Sequence, residues 1–129
     1  MNDGDLVVDA SAVIAFLVGE PFTRFDSEGL GNALISAVNL SEVLARLPEL
    51  GVPEIETATA VSRLALRIVI FDEAQAREAA RLRPLTRQAG LSLGDRACLA
   101  LGTARGCPVV TADRVWAGLD LGIEVILIR

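Results

Sequence analysis

Histidine and lysine are both absent from the 129 residues, so that all 12 basic residues are arginine. The absence of histidine removes the commonest general base and the commonest ligand for transition metals. The absence of lysine excludes Schiff-base chemistry and a Walker-type phosphate loop. The side chains that remain for catalysis are carboxylates, hydroxyls and arginines.

Aromatic residues are few, and positive charge is in deficit. There is no tyrosine, and Trp116 lies in an apolar helical segment where we expect it to pack in the core. Stacking of bases on aromatic side chains is therefore a poor basis for binding RNA. The net charge of −5 differs from the basic balance of a general nucleic-acid binder. Any contact with a nucleic acid must be local, through a group of arginines or a bound cation.

Cysteine is scarce, and long apolar runs are missing. Cys98 and Cys107 have neither zinc-ligand spacing nor a disulfide framework, so we expect reduced, buried thiols.

The longest apolar stretch, Ala10–Val18, is far shorter than the roughly 20 residues of a membrane span. The acidic start, Met1–Asp5, is unlike the basic start of a signal peptide. We expect one domain over residues 1–129 that remains in the cytoplasm and does not enter a membrane.

Short apolar runs alternate with helical patterns along the chain. Five runs are predicted to be strands: Leu6–Val8, Ala33–Ile35, Ile68–Ile70, Pro108–Val110 and Glu124–Ile128. Helical periodicity predicts helices at about Ser11–Val18, Val38–Leu47, Glu54–Leu66, Glu73–Arg83 and Leu93–Arg105. Pro48 and Gly106 should end helices, and Pro84 should break or kink one. This alternation predicts an α/β fold whose parallel sheet is covered on both faces.

Four carboxylates each have an ordinary structural explanation. Asp9 can cap the first helix, and Asp113 can cap a short helix after the fourth strand. Asn39–Glu42 and Ser92–Asp95 both resemble capping boxes, although Asp replaces the usual Glu or Gln in the second. For any one of these acids taken alone, capping is the better explanation.

Taken together, the four carboxylates gather at one edge of the predicted sheet. Asp9 and Asp113 follow the first and fourth strands, where ligands bind in open parallel sheets. Glu42 lies in the helix after the second strand, and Asp95 begins the helix that leads to the fourth. Four acids in one crevice repel each other unless a cation neutralises them. A ligand set made only of oxygen atoms favours Mg²⁺ or Mn²⁺.

Four segments, in this order along the chain, resemble those of PIN-domain ribonucleases. They are Val8–Ala12, Ser36–Val43, Leu91–Ala97 and Thr111–Arg114. The ending, Trp116–Ile128, is similar to that of the VapC-type toxins of bacterial toxin–antitoxin pairs. A lone Asp-x-Ser pattern is weak evidence, whereas four acidic motifs in the right order are specific. The resemblance covers essentially the whole chain.

The resemblance implies a three-layer α/β/α fold with a central parallel sheet of about five strands in the order 3-2-1-4-5. It implies a Mg²⁺- or Mn²⁺-dependent endoribonuclease that forms homodimers and is inhibited by a small antitoxin protein. By position in the motifs, Ser11 and Thr111 are the expected hydroxyl helpers. The metal-site acids that the resemblance implies are Asp9, Glu42, Asp95 and Asp113.

Without histidine or lysine, the attacking group is expected to be a metal-bound water. Asp9 and Asp113 are candidates for direct coordination, and Asp95 completes the site. Glu42 is expected to bind or orient the water. In-line attack by water predicts a 5′-phosphate and a 3′-hydroxyl, with one or two ions equally compatible with the sequence.

Several arginines near the acids are candidates for holding the RNA backbone: Arg81, Arg83, Arg87, Arg96 and Arg114. Pairing with neighbouring acids, or full solvation, is an equally good explanation of these arginines.

The chain also has more apolar residues than one core needs: Val13, Phe16, Leu17, Phe22, Phe25, Leu64 and Leu66. These residues predict either a dense core or a surface on the first helix and the Glu54–Leu66 helix that binds an apolar antitoxin helix.

Two other functions remain open. The chain could be a catalytically silent binding module that keeps a nuclease scaffold, although the intact acids argue against this. It could also be a metal-dependent phosphohydrolase or DNase, although the absence of lysine counts against the phosphatase folds that use one.

Overall fold

The computed structural model describes residues 5–20 and 30–129. The strands are β1 Val7–Val8, β2 Leu34–Ser36, β3 Arg67–Val69, β4 Val109–Thr111 and β5 Val125–Leu127. The helices are α1 Ala10–Leu17, α2 Ala37–Glu49, α3 Glu54–Arg63, α4 Glu73–Thr86 and α5 Leu93–Arg105, with a 3₁₀ helix at Arg114–Gly118. Among the described residues, no helix has the length and apolarity needed to cross a membrane.

The five strands form one parallel sheet in the order β3-β2-β1-β4-β5, which confirms the predicted fold. The central pair is β1 and β4, in which Val8 lies opposite Val110. Because neighbouring strands are parallel, the carboxyl ends of β1, β2 and β4 meet at the same edge. The segments that follow these three strands therefore start side by side.

Successive strand residues point to opposite faces of the sheet, and both faces are covered. Val8 and Ile35 belong to a buried cluster with side chains of α1 and α2. Val7 and Leu34 belong to a second cluster with side chains of α4 and α5, which includes the fully buried Trp116. The predicted core position of Trp116 is therefore confirmed, and the molecule has the expected three layers.

Neither proline ends its helix, so the expected end at Pro48 and the expected break at Pro84 were wrong. Pro48 lies inside α2, and α4 continues through Pro84 to Thr86. Each proline lies in the last turn of its helix, where only one backbone hydrogen bond is lost. The carbonyls left without a donor belong to Leu44 and Ala80, both of which are exposed, so that water can replace the missing partner.

Residues with positive φ lie at the C-terminal ends of α3 and α5. Gly106, at φ 62°, ends α5 at the predicted position. In contrast, α3 ends at Arg63, three residues before the predicted Leu66, and Ala65 follows at φ 53°. This left-handed residue turns the chain into β3, an arrangement that helical periodicity could not reveal.

Candidate active site

Asp9 links the end of β1 to the start of α1. It is the N-cap of α1 and accepts a hydrogen bond of 2.9 Å from the backbone N–H of Ala12 through Oδ1. The hydroxyl of Ser11 donates to the same carboxylate at 2.8 and 2.9 Å, and that of Thr111 donates to Oδ2 at 2.7 Å. Capping of α1 thus explains one contact of Asp9. The hydrogen bonds from the two hydroxyls are additional to this cap.

The same two hydroxyls also hold the segment after β4. Ser11 Oγ accepts from the backbone N–H of Ala112 at 3.0 Å, and Thr111 Oγ1 accepts from that of Asp113 at 3.0 Å. Each hydroxyl has one hydrogen, which it gives to Asp9, and accepts from the backbone with its oxygen. Asp9 and the segment that carries Asp113 are therefore fixed relative to each other.

Asp9 is only 3% exposed, and burial raises its pKa from 3.8 to about 6. The hydrogen bonds from Thr111, Ala12 and Ser11 lower the pKa, but they do not offset desolvation. The negative charge of Asp95 raises it further. An ionised Asp9 is therefore destabilised unless positive charge is brought to it.

Glu42 reaches the same region from α2. Its Oε1 accepts a hydrogen bond of 2.8 Å from Asn39 Nδ2, and the same nitrogen donates to the carbonyl oxygen of Gly94 at 3.0 Å. The expected capping box at Asn39–Glu42 is wrong, because α2 begins earlier, with Ser36 as its N-cap. Asn39 lies inside the helix and binds Glu42 from there.

Asp95 and Asp113 both have capping contacts as well. Asp95 Oδ2 accepts from the backbone N–H of Ser92 at 2.9 Å, and Ser92 Oγ accepts in return, so the predicted capping box is confirmed. Asp113 Oδ1 accepts from the N–H of Val115 at 3.0 Å at the start of the 3₁₀ helix. Each residue therefore has a structural role in addition to its position beside Asp9.

One pocket joins the four acids. Its volume is about 420 Å³. It is lined by Asp9, Ala10, Ser11, Ile14, Asn39, Glu42, Ala45, Arg46, Glu49, Asp95 and Asp113. Thr111 lies beneath it, fully buried, and reaches it through Asp9. The structure therefore brings five of the six predicted site residues to one pocket and places the sixth directly behind it.

Three of the acids lie near enough to Cys98 on α5 for their charges to act on its thiol. Burial raises the pKa of this thiol well above its ordinary value, and the charges of Asp9, Asp95 and Glu42 raise it further, in that order. Cys98 and Cys107 are both buried and free, as predicted. Such thiols are unreactive and do not contribute a nucleophile.

The chemistry of the donors fits a hard divalent cation. None of the four acids forms an ion pair with a described arginine, although Arg46 lies at the pocket rim, 3.3 Å from Glu49. Among the described residues, no three acidic side chains converge into a ready-made set of metal ligands. The pocket thus supplies carboxylate oxygens and unbalanced negative charge, and several of those oxygens are also engaged by backbone N–H groups.

The five candidate arginines fall into two groups. Arg81 pairs with Glu78 at 2.6 Å, and Arg96 donates to the carbonyl oxygen of Ala79 at 2.9 Å, so both stabilise local structure. Within the described ranges, the side chains of the other three have no hydrogen-bond or ion-pair partner, and all three residues are exposed: Arg83, Arg87 and Arg114. Only these three remain available for a ligand.

Most of the surplus apolar residues belong to the core. Val13 and Leu64 are buried, and Phe16, Leu17 and Leu66 pack against the same cluster. Phe22 and Phe25 lie outside the described residues. The large apolar side chains exposed on the described parts of α1 and α3 are others, Val18 at the end of α1 and Ile55 on α3, the latter 82% exposed.

Asn39 and Gly94 are the functional candidates that the sequence reasoning missed. Asn39 was interpreted only as a helix cap, because Asn three residues before Glu is typical of a capping box. The spacing also places the two side chains one turn apart on a helix face, which is the signal that could have revealed their contact.

The chain belongs to the PIN domain family, whose model matches residues 6–120. No sequence among curated proteins matches the chain significantly.

Solved structures of toxin–antitoxin proteins share the fold. A VapBC-family member, VapBC-5 from Mycobacterium tuberculosis, is 26% identical, with a TM-score of 0.65 and 98% of each chain covered. The DNA-bound VapBC complex of Salmonella typhimurium is 18% identical, with a TM-score of 0.73, covering 94% of this chain and 96% of that one. VapC20 of M. tuberculosis, a toxin that cleaves the sarcin-ricin loop, is 16% identical, with a TM-score of 0.65 over 90% of this chain and 97% of that one.

Proposed function

We propose that this chain is a Mg²⁺- or Mn²⁺-dependent endoribonuclease that serves as the toxin of a toxin–antitoxin pair. The observation that carries the proposal is the buried Asp9, which is fixed at the junction of β1 and β4 and shares one pocket with Glu42, Asp95 and Asp113. Membership of the PIN family and the likeness to VapC toxins support the same function. The chain acts as a single cytoplasmic domain in this proposal.

The carboxylates that line the pocket would hold the cation, with Asp9 and Asp113 as direct ligands and Asp95 completing the set. A bound divalent cation supplies Lewis acidity, which stabilises charge on the phosphodiester and makes water a stronger nucleophile. Ser11 and Thr111 keep Asp9 at the pocket floor by donating to its two oxygens. Glu42, held by Asn39, orients the attacking water. Attack by water leaves a 5′-phosphate and a 3′-hydroxyl.

The RNA backbone is held by the three candidate arginines whose side chains have no described partner, Arg83, Arg87 and Arg114. Arg83 and Arg87 lie at the C-terminal end of α4, and a short loop connects this end to the start of α5, where Asp95 lies. Arg114 directly follows Asp113. These positions bring positive charge to the edge that carries the acids, on a chain whose net charge is −5. Contacts of this kind position RNA without specifying its sequence.

A cognate antitoxin and a second copy of the chain complete the proposed assembly. Several similar structures are VapBC or FitAB complexes, which supports an antitoxin partner for this chain. In our proposal, the antitoxin places an arginine or lysine among the acids and an apolar helix beside α1 and α3, where Val18 and Ile55 are exposed.

The test is a substrate panel. Purified protein is incubated with RNA, DNA and a phosphomonoester, each with Mn²⁺ and with EDTA. We expect cleavage of RNA alone, and only with the metal. Cleavage of DNA or of the monoester in preference to RNA would instead support a DNase or phosphohydrolase. No cleavage of any substrate would support a silent binding module.

A further inference from the structure

Asn39 is buried on α2, and it uses both hydrogens of its amide nitrogen. They bind Glu42 Oε1 and the carbonyl oxygen of Gly94, at 2.8 and 3.0 Å. Both partners are pure acceptors, so the amide must turn its nitrogen, not its oxygen, toward them. One side chain therefore connects the carboxylate of Glu42 to the backbone of α5.

The approach of Glu42 to α5 requires a glycine at position 94. A Cβ atom at Gly94 would lie 2.4 Å from Glu42 Oε1 and 2.6 Å from both Cδ and Oε2. All three separations are shorter than real Cβ contacts, so any larger residue would displace the carboxylate. Glycine inside a helix lowers helix stability, yet here it makes room for a functional side chain.

Within the described part of the chain, the oxygen of the same amide gains no hydrogen bond from its burial. Asn39 is 1% exposed, and its Oδ1 has no hydrogen-bond partner among the described residues. A buried, unpaired acceptor costs folding stability. An apolar residue at this position would avoid that cost, but it would leave Glu42 without its donor.

We propose that Asn39 and Gly94 form a seat for the Glu42 carboxylate. Asn39 is a positioning residue in this seat, because it holds the carboxylate in place for the cation and the attacking water. This inference rests on the proposed function. Glu42 is exposed and has a long side chain, so without the seat its carboxylate would move among many rotamers. Hydrogen-bonded partners of this kind orient the carboxylates of metal sites and change metal affinity.

The test measures Mn²⁺ binding by calorimetry in the absence of RNA. Asn39→Ala is expected to weaken binding about tenfold or more, as loss of such a partner does elsewhere. Gly94→Ala should weaken it similarly while leaving the amide in place. Gln75→Ala is the matched control, because Gln75 is a buried amide on α4 that lines a different cavity. This control should bind Mn²⁺ like the wild type.

A double variant separates positioning from packing. In a Glu42→Gln background, Asn39→Ala should change Mn²⁺ affinity by less than about twofold, because the carboxylate it positions is already gone. Independent effects of the two substitutions would overturn the proposal. A lower Tm of Asn39→Ala with unchanged Mn²⁺ affinity would overturn it as well, since that result shows a structural role alone.

The wild-type protein provides a test that does not depend on the folding of any variant. Addition of Mg²⁺ to ¹⁵N-labelled protein should shift the NMR signals of the Asn39 side-chain amide, and unshifted signals would contradict the seat. Failure of the proposed function has a different signature: the chain would bind Mn²⁺ in an Asn39-dependent manner yet leave RNA intact. A wild-type chain that binds no Mn²⁺ would overturn both.

Discussion

The hydroxyl of Thr111 donates a hydrogen bond of 2.7 Å to Oδ2 of Asp9, across the junction of the two central strands. The two residues are 102 positions apart in the chain, and parallel pairing of β1 with β4 brings them together. Thr111 Oγ1 also accepts from the backbone N–H of Asp113. A single hydroxyl thus connects two of the four acids, which makes its removal informative.

Thr111→Val keeps the shape of the side chain and removes this hydroxyl. We expect the loss of about 1–3 kcal/mol of stability, because buried hydrogen-bonding groups lose their partner, together with a fall in RNA cleavage. Thr86→Val is the matched control: Thr86 is also fully buried, and its hydroxyl donates to the carbonyl of Leu82. Thermal unfolding and cleavage rates check both variants. Equal cleavage by the two would show that the Thr111 hydroxyl has no role in the site.

The pH dependence of stability follows from the raised pKa of Asp9. Its pKa is about 6 when folded, against 3.8 as the ordinary value, so the folded state binds the proton more tightly. Ionisation of the Asp9 carboxyl therefore lowers the free energy of unfolding as pH rises from about 4 to about 6, by at most about 3 kcal/mol. Asp9→Asn removes the titration.

Measured in EDTA, the variant should gain stability relative to the wild type as pH rises through this range, and the gain should vanish near pH 4. Denaturant unfolding at pH 4, 5, 6 and 7 provides the comparison. A difference between the two proteins that stays constant over these values would mean that Asp9 is not destabilised by burial.

The role of the free arginines can be tested by comparison with paired ones. Substitution of Arg83 and Arg87 by Gln should weaken RNA binding and reduce the slope of log affinity against log salt by about 0.7 for each phosphate that is no longer neutralised. Arg77 and Arg81 are the control, because they pair with Glu73 and Glu78 on the same helix. Equal effects of both double variants on the salt slope would argue against a specific RNA path over Arg83 and Arg87.

The proposed antitoxin surface is tested at Ile55. Ile55→Asp places a charge on an 82% exposed apolar side chain, so the free protein should stay folded. Binding of the co-expressed product of the adjacent small reading frame should weaken about tenfold or more, since burial of an unpaired charge is costly. Leu85→Asp, at an exposed apolar position on α4, should leave the complex intact. A complex that tolerates Ile55→Asp would place the antitoxin elsewhere.

The sequence predicted the sheet and the pocket because both depend on periodicity and topology. Alternation of strands and helices placed Asp9, Glu42, Asp95 and Asp113 at one edge. The strand order that brings Asp9 next to Asp113 was implied by the resemblance to PIN-domain ribonucleases, and the structure confirms that order. The sequence could not predict the contact of Asn39 with Gly94, because this contact joins residues 55 positions apart through the packing of α2 on α5. The end of α3 depended on the backbone conformation of Ala65, which composition does not reveal.

The most direct test of the central claim follows cleavage of an end-labelled RNA by the wild type and by Asp9→Asn, with Mn²⁺ and with EDTA. The account predicts that the wild type cleaves only with Mn²⁺ and leaves 5′-phosphate and 3′-hydroxyl ends. Asp9→Asn should be at least about 100-fold slower, since loss of a direct ligand should cost no less than the roughly 10- to 100-fold effect of losing its hydrogen-bonded partner. Full cleavage in EDTA, cyclic phosphate ends, or wild-type rates from Asp9→Asn would contradict the account.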